Sequence, residues 1–337
     1  MALIAAAVAR AADPLPLLTW SGQTMGTTYL VKIAGAAPEE ALAAELRAAV
    51  EERFEQLNRQ MSNYRPDSEL SRFNAAASTE PFPVSAEFAR VVRQALDLSR
   101  ASAGAFDPTV GPVVDLWGFG APGRRAELPT ETEVEAMRAL CGAAHLQVTP
   151  DGALQKDLPG LRLDLGGIAK GYGADVAAQA LRDRGYSNVF VSVCGEIVAF
   201  GTNPDGQPWQ VGVERPIQDL PRGADHVAVV PLSGRALSTS GDTYNYFRDA
   251  AGNSYAHILD PATGRPVRNT LASVTVIAPC GLVADGLATT LYVMGPDRGL
   301  AWIEGRSDCA ALFVVRTGED EFKLVPSSRF PEFRALP

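Results

Sequence analysis

Three short segments carry side chains able to do phosphoryl chemistry. In residues 161–175, Asp164 stands just before Gly166 and Gly167, and Lys170 follows within the next turn. Leu161, Leu163 and Leu165 alternate with Arg162 and Asp164, which predicts a strand, while Val176, Ala177, Ala180 and Leu181 recur at helical spacing. A strand passing through a glycine turn into a helix aims unpaired N–H groups and the positive helix end at one point, a place for a phosphate. Neither a Walker loop nor a dinucleotide fingerprint has this spacing, and taken alone the segment also reads as an ordinary strand–helix connection.

Asp285 and Thr289 lie four residues apart in an apolar run ending at Met294, so on a helix they share a face. A carboxylate in such surroundings must be paired, hydrogen-bonded or metal-bound. A carboxylate with a hydroxyl is a hard-oxygen pair of the kind Mg²⁺ accepts alongside water and phosphate. The competing reading is a first-turn carboxylate that satisfies the helix dipole. His257 precedes the turn cluster Asp260–Gly264, so it ends a strand just before a tight loop, where catalytic groups gather. Of the other two histidines, His145 follows two alanines and His226 sits in a polar loop; both read as structural, and His257 alone also admits that reading. The run Ser238–Asp242 reads as a hydroxyl-rich turn that bonds a ligand or caps itself. Ser240 joins no convincing Ser-His-Asp set, and no Gly-x-Ser-x-Gly elbow is present.

These groups sit in a chain of 337 residues, enough for one large domain or two modest ones. Its 46% hydrophobic and 20% charged content is that of a well-packed soluble protein. A net charge of −9 without any basic run argues against nucleic-acid binding. The four cysteines, Cys141, Cys194, Cys280 and Cys309, show no C-x-x-C spacing, which speaks against a zinc site. Cys194 and Cys280 each follow an apolar run and are expected to be buried thiols. Residues Ala2 to Ala9 are apolar and Ala9-Arg10-Ala11 resembles a cleavage site, although no positive n-region precedes them. Residues 1–12 are therefore expected to be the remnant of an export signal, making the chain periplasmic or otherwise exported; if they are not a signal, it is cytoplasmic. No stretch reaches the roughly 18–20 apolar residues of a membrane span.

The elements that must position the groups follow from periodicity. Strands are expected at Thr27–Ile33, Asn188–Val193, Glu196–Phe200, Trp209–Glu214, Val227–Leu232 and Ser273–Ala278, with a hairpin over Ala311–Arg316 and Phe322–Val325. Helices are expected over Pro38–Met61, Ser85–Ala103 and Leu282–Met294, and from the capping box Thr130-x-x-Glu133 to Leu140. Asn63–Phe73 reads as a polar loop, and Phe106–Gly120 as a Gly/Pro-punctuated stretch. Without a regular βαβ beat, the pattern predicts an α+β fold: one compact body of mixed sheet with packed helices over residues 20–330, and a possible helical subdomain near residues 38–140.

Taken in order, a set of motifs resembles the FAD:protein FMN transferase family of flavin transferases. They are Met25–Tyr29, Met61–Tyr64 with Pro66–Asn74, Ala105–Thr109, Asp164–Gly171, Ser238–Asp242, His257–Gly264 and Ala284–Thr289, covering nearly the whole chain. The resemblance implies transfer of FMN from FAD to a threonine of a partner protein, with release of AMP. By motif position it implies Mg²⁺ held by Asp285, Thr289 and the carbonyl of Gly167. It implies a FAD site lined by Met25, Tyr64, Ala105, Phe106, Asp107, Asp164, Lys170 and Ile258. His257 would be the base, with Asp285 and Lys170 completing the catalytic set. The implied acceptor is a redox protein, by analogy a subunit of a membrane redox complex. Two other readings are a FAD pyrophosphatase, with water as acceptor, and a non-catalytic flavin carrier. One departure is Cys194-Gly195 where the family usually has Gly-Gly; a side chain there narrows the pocket or packs behind it. Another is the lack of a lipobox cysteine before Cys141, which speaks against a lipid anchor.

Overall fold

Alternation along residues 27–34 sends Tyr29, Val31 and Ile33 to one side, and all three are buried. That side is the helix-covered face of the principal sheet. The computed structural model describes residues 13–336, so the proposed export segment 1–12 lies outside the described residues. The sheet has eight strands, in the spatial order β1 (Leu17–Thr24), β2 (Thr27–Ala34), β5 (Val189–Val193), β6 (Glu196–Phe200), β9 (Arg235–Gly241), β14 (Leu271–Ala278), β15 (Ala310–Arg316) and β16 (Phe322–Pro326). Every neighbouring pair is antiparallel. This α+β arrangement is the one expected, and the C-terminal hairpin β15–β16 is present.

Helices α1 (Glu40–Met61), α6 (Ala169–Arg182), α7 (Gly281–Met294) and α8 (Pro296–Glu304) cover one face, where Val50, Ala177, Val191, Val276, Ala288 and Ile303 share a core. The opposite face packs on a three-stranded sheet of β7 (Trp209–Glu214), β8 (His226–Leu232) and β17 (Arg334–Ala335) through Phe190, Ile197, Leu237, Trp209 and Val230. A further core lies beneath α2 (Glu69–Ala75) and α3 (Ala86–Ala101), into which the last turns of α1 insert Leu57 and Met61. Helices α4 (Gly111–Leu116) and α5 (Glu131–Arg138) enclose a small cluster around Trp117 and Leu259. The two-stranded pairs β3 (Leu146–Val148) with β4 (Leu154–Lys156), β10 (Tyr246–Arg248) with β11 (Ser254–Ala256), and β12 (Leu259–Asp260) with β13 (Arg265–Pro266) complete the chain. No described helix is long and apolar enough to cross a membrane.

Three expected segments take another form in the structure. Residues 161–165 are not a strand; apart from one bridge between Arg162 and Val110, their backbone partners lie elsewhere. Within the expected polar loop Asn63–Phe73, α2 begins at Glu69, because the buried Ser68 hydroxyl accepts from the Ser71 amide at 2.9 Å and caps it. The expected turn at Ser238–Asp242 is largely strand β9, whose residues Ser238–Gly241 pair with β14, with Thr239 and Thr275 hydroxyls 2.8 Å apart.

Two tight hairpin turns stand side by side at one end of the sheet. Met25-Gly26 joins β1 to β2 with φ of 50° and 71°, and Cys194-Gly195 joins β5 to β6 with φ of 59° and 96°. Two positive φ values in a two-residue loop match the right-handed twist of the strands, which is why glycine suits such turns. Here methionine and cysteine occupy the first position. The Cys194 amide donates to the Thr28 carbonyl at 3.0 Å, which locks the two turns together.

Candidate active site

Helices α6 and α7 cross backbone to backbone. A Cβ on Gly171 would stand 2.1 Å from the Gly281 carbonyl oxygen, and one on Gly281 would stand 2.2 Å from that of Gly171. Neither helix has a capping side chain of its own. Instead each caps the other. The Asp175 carboxylate on α6 accepts from the amides of Gly281 and Leu282 at 2.6 and 2.8 Å, and the Asp285 carboxylate on α7 accepts from the Gly171 amide at 2.9 Å. This corrects the sequence reading of the α6 N-terminus: an amide of its first turn is taken by Asp285, not left free for a phosphate. The amide of Gly166 is likewise taken, by Asp164 Oδ1 at 2.7 Å.

The crossing gathers oxygen atoms. Thr289 Oγ1 lies 3.4 Å from the Gly167 carbonyl oxygen and 3.4 Å from Ser240 Oγ. Gly167 has little room for a side chain, since a Cβ would stand 3.0 Å from Thr289 Oγ1. Asp285 is only 3% exposed; burial raises its pKa, against the pull of Lys170 and the Gly171 amide. Lys170 Nζ donates to the Gly166 carbonyl at 2.8 Å and lies 3.9 Å from Glu196 Oε1. Burial opposes its charge, but Asp285 and Glu196 outweigh that and hold the ammonium above its ordinary pKa. Among the described residues no three His, Cys, Asp or Glu side chains are placed to hold a metal. The donor set is instead one carboxylate, one hydroxyl and one backbone carbonyl. That set fits Mg²⁺, which keeps several waters and takes few protein carboxylates, and would suit zinc poorly.

Residues 161–165 reach this site without a strand partner because a side chain replaces one. Asn74 donates to the Leu163 carbonyl at 2.8 Å and accepts from the Leu163 amide at 2.7 Å. The Asp164 amide donates to the Pro108 carbonyl at 2.8 Å. Buried Lys156 donates to the Leu161 carbonyl at 2.9 Å, and its ammonium lies 4.9 Å from the Phe73 ring centroid. Asn63 then donates to Asp164 Oδ2 at 2.9 Å, while burial raises the pKa of that carboxyl.

All twelve residues assigned from the sequence to the catalytic, flavin and metal sites line one cleft of about 780 Å³. Besides the group just described, Met25 enters from its hairpin turn, its sulfur against Gly173 of α6. Tyr64 stands at the cleft with 71% of its surface exposed. Ala105, Phe106 and Ile258 are buried and present apolar wall. Asp107 also lines the cleft, but its oxygens accept from Thr109 and the Ala143 amide, so it also shapes its own turn. His257 follows β11, as expected for a strand end, and its Nδ1 lies 3.2 Å from the Asn245 carbonyl oxygen. A carbonyl only accepts, so Nδ1 carries the proton and Nε2 keeps its lone pair. Burial, then the charge of Lys170, brings the His257 pKa down to about 4. Cys194 also lines the cleft, and both it and Cys280 are half-buried rather than fully buried. All four cysteines are free.

Residues 25–313 match the ApbE family. The chain belongs to it. The FAD:protein FMN transferase of Vibrio cholerae is 44% identical over 313 residues, covering 93% of this chain and 91% of that protein. That of Haemophilus influenzae is 38% identical over 318 residues, covering 93% and 90%. Among solved structures, the flavin transferase ApbE from Vibrio cholerae superimposes with a TM-score of 0.84 at 43% identity, covering 94% of this chain and 99% of that one. The ApbE protein from Thermotoga maritima gives 0.79 at 29% identity, covering 91% and 96%. Sequence reasoning left Asp175, Glu196 and the Asn74 clamp without roles in this ApbE site. Asn74 and Glu196 stand within or beside quoted motifs, but nothing local marks what either meets.

Proposed function

We propose that this ApbE-family chain transfers FMN from FAD to a threonine hydroxyl of a partner redox protein and releases AMP. The observation that carries the reading is the meeting of Asp285, Thr289 and the Gly167 carbonyl with Lys170 and His257 in one cleft, in a chain whose relatives are named FAD:protein FMN transferases. Asp285, Thr289 and Gly167 would hold Mg²⁺, which when bound neutralises diphosphate charge. Lys170 offers its ammonium to the same diphosphate. His257 Nε2 accepts the threonine proton as the threonine oxygen bonds to the FMN phosphorus. The bond from that phosphorus to the bridging oxygen breaks, and the bridging oxygen leaves on AMP. A histidine held neutral down to about pH 4 is ready for this at neutral pH. Exposed Tyr64 gives an aromatic face to a flavin or adenine ring.

The test is incubation of the protein with FAD, Mg²⁺ and a co-expressed candidate from a membrane redox complex, followed by mass spectrometry. An FMN-sized addition on threonine, with one AMP per addition, supports transfer. Free FMN regardless of acceptor shows a pyrophosphatase, and activity in cells that survives His257→Ala and Asp285→Ala shows a carrier. Acidification adds a second check. Because the His257 pKa is lowered, the proton-accepting form persists as pH falls, so kcat/KM should show no decline centred near the ordinary histidine value of about 6.5. Residues 1–12 are proposed to direct export. A mature chain in the periplasm lacking them supports this, and an intact N-terminus in the cytoplasm rejects it.

A further inference from the structure

One buried carboxylate takes no part in the chemistry above. Glu196 begins β6 directly after the Cys194-Gly195 turn. Alternation along β6 puts Ile197 in the core beneath the small sheet and Val198 in the core beneath the helices, so Glu196 shares the helix-covered face with Val198. There it is 5% exposed. Its Oε1 lies 3.9 Å from Lys170 Nζ, and its Oε2 is sealed from solvent. The Ser238 hydroxyl and the Thr239 backbone, on β9, act on this carboxyl and favour its ionised form. Burial, then the charge of Asp285, pushes the Glu196 pKa up to about 8 against the pull of Lys170, so a further positive charge at the Asp285 site favours the carboxylate. Asp285, Glu196 and Lys170 together carry one more negative than positive charge when ionised, and the carboxylates of Asp285 and Glu196 act on each other and on the lysine between them.

We propose that Glu196 is a positioning residue for the cation site: it anchors the Lys170 ammonium beside the Gly166 carbonyl and adds its charge to that of Asp285. It sets how tightly a divalent cation is held without ligating it, since one oxygen faces the lysine and the other is sealed away. This rests on the reading that Asp285, Thr289 and Gly167 hold such a cation. Groups that act behind a ligand typically change metal affinity by about 10- to 100-fold.

The experiment titrates Mn²⁺ into the full chain, reading free Mn²⁺ by electron paramagnetic resonance, with thermal melting in chelator as a measure of fold. Glu196→Gln should weaken Mn²⁺ by about 10-fold or more with melting preserved, and Asp285→Asn should weaken it further. Glu196→Asp keeps the charge but withdraws it by one methylene, so it should fall between wild type and Glu196→Gln; it decides the matter if the glutamine variant fails to fold. Wild-type affinity in either variant overturns the proposal. Absence of Mn²⁺ binding by the wild type rejects the divalent-cation reading itself, whereas a normal wild type with an unaffected Glu196→Gln rejects only the role of Glu196.

Discussion

The two walls of the cleft are held by different forces. The wall at the α6–α7 crossing is built from contacts that leave no slack: Gly171 against Gly281, and a carboxylate from each helix on amides of the other. Another part of the lining, with Arg215, Arg222 and Tyr244, belongs to segments tied by surface contacts. Arg222 lies 3.9 Å over the Tyr244 ring, Arg248 lies 3.1 Å from Asp219, and Arg215 lies 2.6 Å from Asp225. Exposed pairs of this kind contribute at most about 1 kcal/mol each. Charge chemistry needs donors fixed before substrate arrives, whereas a surface that meets a protein acceptor gains from adjusting to it. On the proposed function, the first wall would serve the former and the second the latter.

The sharpest way to break the first wall is at its glycines. Gly171→Ala would put a methyl group 2.1 Å from the Gly281 carbonyl and 2.6 Å from Asp285 Cβ, so the helices must part. Overpacking of this kind costs about 1–3 kcal/mol, and parting the helices also separates Thr289 from Gly167. Calorimetry should show a melting temperature lower by several degrees, with weakened Mn²⁺ binding. Gly223, beside Arg222, has φ of 72° but open space around it, so Gly223→Ala meets backbone strain alone, about 1–2 kcal/mol, and Mn²⁺ affinity should stay. Equal losses of Mn²⁺ affinity in both variants would remove the distinction between the walls.

Asp175 tests the same wall more gently. Burial raises its pKa to about 6, against the two α7 amides that pull it down. A carboxyl whose folded pKa lies above its unfolded value of about 3.9 favours the folded state at low pH, and that contribution is lost as pH rises through about 6. Asp175→Asn removes the titration. Its stability, measured by urea unfolding, should therefore change less between pH 4 and pH 6 than that of the wild type. At pH 7 the Asn side chain offers one accepting oxygen to the two α7 amides that the carboxylate pairs, so the variant should be weaker by about 0.5–1.5 kcal/mol. An unchanged slope between pH 4 and pH 6 would show that Asp175 does not titrate there.

Much of this was legible in the chain because it is local. Helix α1 shows as a stripe of Leu46, Val50, Phe54 and Leu57, the capping box at Thr130 and Glu133 forms as read, and Asp285 and Thr289 share a helix face. The segment 161–165 misled because its alternation is real, with Leu161, Leu163 and Leu165 all buried, but its backbone is paired by the Asn74 side chain instead of a strand. Periodicity reports which side is buried and says nothing of what accepts the hydrogen bonds. The hydroxyl run Ser238–Ser240 has turn composition, and pairing with β14 overrode it, as tertiary context does for strand propensity. Asp175 and Glu196 each act on an element more than 20 residues away in sequence or across a strand turn, so no spacing rule marks them.

The smallest expected effect lies where the walls meet. Cys194 sits at φ 59°, a conformation that costs a side-chain-bearing residue about 1–2 kcal/mol. Its carbonyl accepts from Arg222 of the adjustable wall at 3.3 Å, while Glu196 two residues on belongs to the fixed one. Cys194→Gly relieves the backbone but frees the unfolded chain, which returns part of the gain. The net expectation is a stabilisation of about 0.5–1 kcal/mol with Mn²⁺ affinity unchanged, since the turn keeps its shape and Glu196 its place. Thermal melting and the Mn²⁺ titration read both at once. A lower melting temperature would mean that thiol packing outweighs the strain, and a loss of Mn²⁺ affinity would mean that the turn, and not the strand behind it, fixes Glu196.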